Sequence, residues 1–173
     1  MIYSSGKIYK WILGALSVFS MMIFVSCSEK QDDIIMSRQF ENEQWNRFDY
    51  LESDYNVVKA PMEGDVVMEV VLSEVYPNIY PYHDNHGVFS INMTVSTPDG
   101  GRRSRDYNFN VKDKDGNWMS EKKDGYYRFE LPLNNEMSFN EIGDYHFVIE
   151  NKYPKDPLYG VKSFEIKCTQ IKY

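Results

Sequence analysis

The side chains of this chain that could do chemistry are two thiols, three histidines and a rich supply of acids, and their spacing sorts them. Cys27 follows Lys7 and Lys10, an apolar run from Trp11 through Val25, and the small residue Ser26. That order is the pattern of a bacterial export signal ending in a lipid-attachment cysteine, so the chemistry is acylation of the Cys27 thiol and cleavage before it. The tetrad Phe24-Val25-Ser26-Cys27 resembles the bacterial lipobox, with Phe24 where Leu is usual. A retained transmembrane anchor and plain secretion are the competing readings. The apolar run is about 15 residues, against the roughly 20 that a helix needs to span a hydrocarbon core.

The other reactive side chains read as structural. Cys168 falls in phase with Phe164 and Ile166, on the inward face of a strand, where a thiol behaves as a small buried hydrophobe. His83-Asp84-Asn85-His86 sets two imidazoles and a carboxylate in four residues, but a closed metal site needs further ligands and an extended segment splays the rings. Asp113-Lys114-Asp115-Gly116-Asn117 starts like a calcium loop, yet Trp118 stands where that loop requires Gly. It reads as a hairpin turn. No Gly-x-Ser-x-Gly elbow, phosphate-cradling glycine loop or Cys/His pair occurs. The expectation is a protein without catalysis, metal or cofactor.

Charge narrows the partners. Without residues 1–26, which hold Lys7, Lys10 and no acid, 17 cations face 26 acids. Such a balance excludes nucleic acid, which needs a basic footprint, and gives no pull toward anionic lipid. Membrane attachment then rests on the acyl chains, each buried CH₂ contributing about 0.8 kcal/mol. Residues 27–173 suffice for one core. Three segments follow: an export signal at 1–26, a polar tether at 27–39, and a folded domain at 40–173.

The elements that carry these residues have period two. Phe89, Ile91, Met93 and Val95 alternate with Ser90, Asn92, Thr94 and Ser96; Tyr127, Phe129, Leu131 and Leu133 form another series, as do Tyr145, Phe147 and Ile149. Phe164, Ile166 and Cys168 form a C-terminal strand, Tyr107, Phe109 and Val111 a further one, and Val66 to Val75 suits a central strand. With a weaker run around Trp45 to Leu51, the count is about seven. Asp99-Gly100, Asp115-Gly116 and Asp124-Gly125 punctuate them as tight turns. This predicts an all-β, antiparallel two-sheet β-sandwich of the immunoglobulin-like kind, with an open β-barrel as the alternative. Gly143-Asp144-Tyr145 fits the corner at which a tyrosine bonds back to the backbone.

Two connections, Tyr76-Pro77-Asn78-Ile79-Tyr80-Pro81-Tyr82 and Tyr153-Pro154-Lys155-Asp156-Pro157-Leu158-Tyr159, are proline-stiffened and rich in tyrosine. Tyr76, Tyr80, Tyr82, Tyr153 and Tyr159 are therefore the candidate partner-binding residues, for protein or polysaccharide, with capping of the core as the structural alternative.

Four ordered blocks resemble the gliding-motility lipoprotein family GldH of the Bacteroidetes: Tyr80-Pro81-Tyr82 leading to Asn85 and Val88; Asp115-Gly116-Asn117-Trp118; Gly143-Asp144-Tyr145-His146-Phe147; and Asp156-Pro157-Leu158-Tyr159-Gly160-Val161. The chain departs from the family's usual pattern at Lys152-Tyr153-Pro154-Lys155 and at Ser163-Phe164. The resemblance implies an outer-membrane lipoprotein facing the periplasm or displayed at the surface, without known catalysis, working among envelope protein partners. Intact-mass measurement of the protein purified from membranes should show a chain starting at a triacylated Cys27. An uncut leader or an unmodified thiol would contradict the reading.

Overall fold

The structure, a computed structural model, describes residues 32–77 and 87–171. The export signal, Cys27, Tyr80, Tyr82 and the His83-Asp84-Asn85-His86 cluster lie outside the described residues. Among the described residues eleven strands occur: β1 Asp32–Gln39, β2 Gln44–Trp45, β3 Leu51–Val57, β4 Met62–Leu72, β5 Val88–Ser96, β6 Arg102–Asn110, β7 Lys122–Lys123, β8 Tyr126–Phe139, β9 Gly143–Asn151, β10 Leu158–Tyr159 and β11 Val161–Gln170. One sheet has the order β1-β11-β4-β8-β7 and the other β3-β9-β5-β6; β10 and β2 form a separate pair. All described pairings are antiparallel. The all-β expectation holds.

Period two explains why these segments become strands. It gives each an apolar face, and the two sheets bury those faces against each other. The first sheet contributes Val66, Met68, Val70 and Leu72 from β4 and Phe164, Ile166 and Cys168 from β11; the second contributes Phe89 and Ile91 from β5 and Phe147 and Ile149 from β9. Rings cross the interface directly. Phe139 of β8 lies 5.5 Å from Tyr55 of β3 and 5.0 Å from Tyr145 of β9. Tyr145 makes the anticipated corner, its hydroxyl accepting the Glu141 amide at 3.0 Å. Phe147, fully buried, occupies the place where an immunoglobulin domain sets its second cysteine.

The two flanks of this body differ. On one, β1 meets β3 across the sheets, with Ser53 Oγ donating to the Ile35 carbonyl at 2.6 Å and the Tyr55 hydroxyl to Asp33 at 3.0 Å. On the other, β6 and the C-terminal half of β8 stand apart and line a groove. Sandwich and open barrel thus each describe one flank.

Three expectations need correction. Residues 32–39 of the expected tether are strand β1, paired with β11 and running from Asp32 opposite Thr169 to Gln39 opposite Ser163. An irregularity between Ile34 and Met36 turns Ile35 and Met36 inward together, so the segment shows no period of two. The run around Trp45 to Leu51 is two elements: Trp45 pairs with Leu158, the chain turns, and β3 starts at Leu51. The strand count rises from seven to eight of seven residues or more, with three pairs of residues besides. Asp113 closes its turn as expected, accepting the amides of Asp115 and Asn117.

Packing leaves no slack where β4 crosses Cys168. A β-carbon on Gly64 would come within 2.5 Å of the Cys168 Sγ. Burial pushes that thiol up to about 11, so it is an unreactive core group at neutral pH. Gly64→Ala should cost about 1–3 kcal/mol in denaturant unfolding, and the double variant G64A/C168A should recover most of it. Equal losses in the single and double variants would show that the crowding lies elsewhere.

Candidate functional site

Residues 73–77, residues 153–159 and the loop after Trp45 meet at one end of the body, and a backbone crossing holds them there. Gly160, between β10 and β11, donates its amide to the Glu43 carbonyl at 2.8 Å, and its own carbonyl accepts the Ser73 amide at 2.9 Å. The residue sits at φ +80 with the Tyr76 backbone pressed against it: a β-carbon there would fall on the Tyr76 nitrogen. Only glycine meets both demands, the left-handed backbone and the missing side chain. Leu158 and Val161 on either side are buried, which anchors the crossing in the core.

Tyr76 is the centre of this end, and it is buried, with 2% of its surface exposed. Its hydroxyl donates to the Val88 carbonyl at 2.9 Å and its carbonyl accepts Lys112 Nζ at 3.0 Å. Burial, helped by the neighbouring Tyr153, pushes its phenol well above the ordinary tyrosine range. Lys112 is itself buried, its ammonium 4.3 Å from the centroid of the Trp118 ring. Burial lowers its pKa, and Glu74 acts against that shift. Trp118 stacks on Tyr127 at 4.0 Å and an interplanar angle of 12°, and its centroid lies 6.3 Å from that of Tyr76.

Carboxylates tie the outer layer. Glu43 accepts Ser73 Oγ at 2.6 Å and the Tyr126 hydroxyl at 2.9 Å. Glu74 accepts Lys122 Nζ at 2.7 Å and the Tyr127 hydroxyl at 2.8 Å, and the Lys122 bond leads the interactions that hold its carboxyl below the usual range. Buried Asn151 joins the remaining loops, donating to the Asn46 carbonyl and accepting the Tyr153 amide. Among the described residues, no buried side-chain nitrogen or oxygen lacks a hydrogen-bond partner. The end is a saturated polar frame around an aromatic centre.

The candidate tyrosines therefore separate. Tyr76 is core and cannot present its ring to a partner, because the Gly160 crossing and Trp118 enclose it. Tyr153 is half-buried against the core. Tyr159 is 48% exposed, and Tyr80 and Tyr82 lie outside the described residues. Three further apolar side chains are exposed on these segments, among them Val75, which lies beyond the end of β4 at Leu72 and not in a central strand. Phe48, 75% exposed, and Tyr50 sit in the turn after Trp45, which the Asp156 carboxylate holds through the Arg47 amide at 2.9 Å. Val75 precedes Tyr76. Phe48, Tyr50, Val75 and Tyr159 are thus exposed on the segments that meet at this saturated end.

Three ordered sequence blocks earn their place in this geometry: Trp118 covers Tyr76, Gly160 admits its backbone, and Tyr145 locks the opposite end. The sequence matches the GldH lipoprotein family over residues 35–167. The chain belongs to the GldH lipoprotein family. That family is associated with gliding motility and is not a known enzyme family. No curated protein matches the sequence. Among solved structures, this GldH-family chain is similar to latent PorU from Porphyromonas gingivalis, at 6% identity and a TM-score of 0.37, over 81% of this chain and 12% of PorU. It is also similar to an exo-β-1,3-galactanase from Phanerochaete chrysosporium, at 12% identity and a TM-score of 0.31, over 80% of this chain and 27% of the galactanase. The chain thus spans well under a third of either protein, and neither likeness bears on function.

Gly160→Ala should destabilise the domain by about 3 kcal/mol, adding backbone strain to the clash with Tyr76. Gly100→Ala is the control, since Gly100 has φ +90 but nothing within 4 Å of its β-carbon position. It should cost about 1–2 kcal/mol from strain alone. Equal costs in urea unfolding would remove the crossing from the account.

Proposed function

We propose that this GldH-family protein is a non-catalytic docking module, held at the bacterial outer membrane by acyl chains on Cys27, whose three-loop end grips a protein of the envelope. The observation that carries the reading is the rim of Phe48, Tyr50, Val75 and Tyr159 around the Gly160 crossing. Exposed large apolar side chains grouped on a rigid frame are what a protein partner buries. A flexible surface would have to be ordered on binding, at about 0.5–1.5 kcal/mol for each side chain fixed. Here the frame is fixed in advance by Glu43, Glu74 and Asn151. The site's charged groups support the same reading, because Lys112, Lys122, Glu43 and Glu74 are each engaged in hydrogen bonds within the protein.

Lipid anchoring fits this role, since it confines the domain near the membrane and raises its local concentration against any partner held there. Photo-crosslinking residues placed at Phe48 and at Tyr159 in cells should yield the same discrete protein adduct. A crosslinker at exposed Ile142, at the opposite end beside the Tyr145 corner, is the control and should not yield it. No adduct from either rim position, or the same set from all three, would contradict docking at this end.

A further inference from the structure

The open flank carries a second surface, away from the rim. In β6 the register against β5 sets Arg103 opposite Val95, Arg105 opposite Met93, Tyr107 opposite Ile91 and Phe109 opposite Phe89, without a bulge. Paired residues share a face, so Arg103 and Arg105 point to the side on which Tyr107 is buried. They occupy core-phase positions where, among the described residues, β6 and the facing β8 stand apart. There they border a groove of 980 Å³, with Met93, Tyr145 and Met137 among its lining residues.

The backbone of this flank is also open. Among the described residues β6 pairs with β5 alone, and no proline interrupts Arg102–Asn110. Its free edge therefore offers alternating amide donors and carbonyl acceptors to another extended chain. The facing strand β8 is a poor template, because Pro132 lies within it and Glu136 has φ +57.

Charge selects the occupant. β6 holds three arginines and one acid in a chain of net charge −7. The acids at the groove's end are engaged: Asp99 accepts the Gly101 amide, and Glu141 accepts the Asp99 amide. Glu136 lines the groove, but among the described residues no carboxylate forms an ion pair with Arg103 or Arg105. The Arg105 guanidinium carbon lies 5.1 Å from the centroid of the Tyr107 ring, and its hydrogen-bond partner there is the neutral Tyr107 side chain, so its charge is not neutralised and a carboxylate can pair with it. A second copy of β6 would add the same net positive charge, so self-pairing is disfavoured.

We infer that the β6 edge accepts an extended peptide segment of a partner protein, antiparallel or parallel to β6, whose alternate acidic side chains meet Arg103 and Arg105 in the groove. Main-chain bonds to β6 supply the affinity, and the two arginines select acids at every second position. The surface lies apart from the rim of Phe48 and Tyr159, so either can fail without the other.

The probe is a labelled nonapeptide alternating threonine and glutamate, titrated by fluorescence anisotropy against the full-length protein in neutral detergent. Saturable binding is expected, weakened at least about tenfold in the R103A/R105A variant, equivalent to about 1.4 kcal/mol. It should weaken with added salt. In R103E/R105E the preference should pass to a threonine–lysine peptide, and Phe48→Ala should leave binding unchanged. A peptide N-methylated at alternate residues, so that one backbone edge loses its donors, should not bind when that edge faces β6. Absence of saturable binding, indifference to the arginine changes, or equal binding of both methylated edges would overturn the proposal. Arginine-dependent binding of an oligogalacturonate in preference to the peptide would overturn it in favour of an anionic glycan.

Discussion

The end that carries the exposed rim depends on one close approach: the backbone of Gly160 against that of Tyr76. Without a β-carbon there, the chain leaving β10 can lie on the chain leaving β4, take the Ser73 amide, and give its own amide to Glu43. The contact joins residues far apart in sequence and continues the pairing of β4 with β11 beyond Leu72 and Val161, so it forms once those two strands are in register. Once formed, it brings three loops to one end and leaves Tyr76 as the piece they enclose. The polar atoms that this burial traps are then satisfied in turn by Lys112, Asn151 and Glu43. Leaving any of them unpaired would cost about 1–3 kcal/mol.

That arrangement gives the two ends and the two flanks different characters. The Gly160 end is cross-linked by hydrogen bonds and carries exposed apolar side chains. At the opposite end the Tyr145 hydroxyl accepts the Glu141 amide, and the Glu141 carboxylate accepts the Asp99 amide. One flank is sealed where β1 leans on β3, and the other is left open between β6 and β8. Arginines at core-phase positions of β6 are the reason the open flank stays open: burying them against β8 without partners would be costly. The same pair keeps apolar strands from adding there.

Much of this was legible in the sequence because period two is a strong signal for half-buried strands. β5, β8, β9 and β11 all fall where alternation of Phe, Ile, Leu and Tyr with polar residues puts them. The strand at residues 32–39 was hidden, since its irregularity sets Ile35 and Met36 on the same side and breaks the alternation. The tyrosine-rich segments stand out in the sequence, but the roles of their rings do not. Composition gives Tyr76 and Tyr159 the same weight, and only the position of Gly160 decides that one is core and the other surface. Arg103 and Arg105 could have been found by carrying the phase of Tyr107 and Phe109 back two steps. Phe48 and Tyr50 carried no signal, because a turn residue's exposure depends on what packs beneath it.

The claim most open to direct test is that the Gly160 crossing opens only with the whole domain. Native-state hydrogen exchange across a denaturant series reads this from the Gly160 and Ser73 amides, which bond Glu43 and Gly160. The account predicts that both exchange only through global unfolding, with the same denaturant dependence as amides of central β4. Exchange of either at rates typical of loops, with β4 still protected, would contradict it.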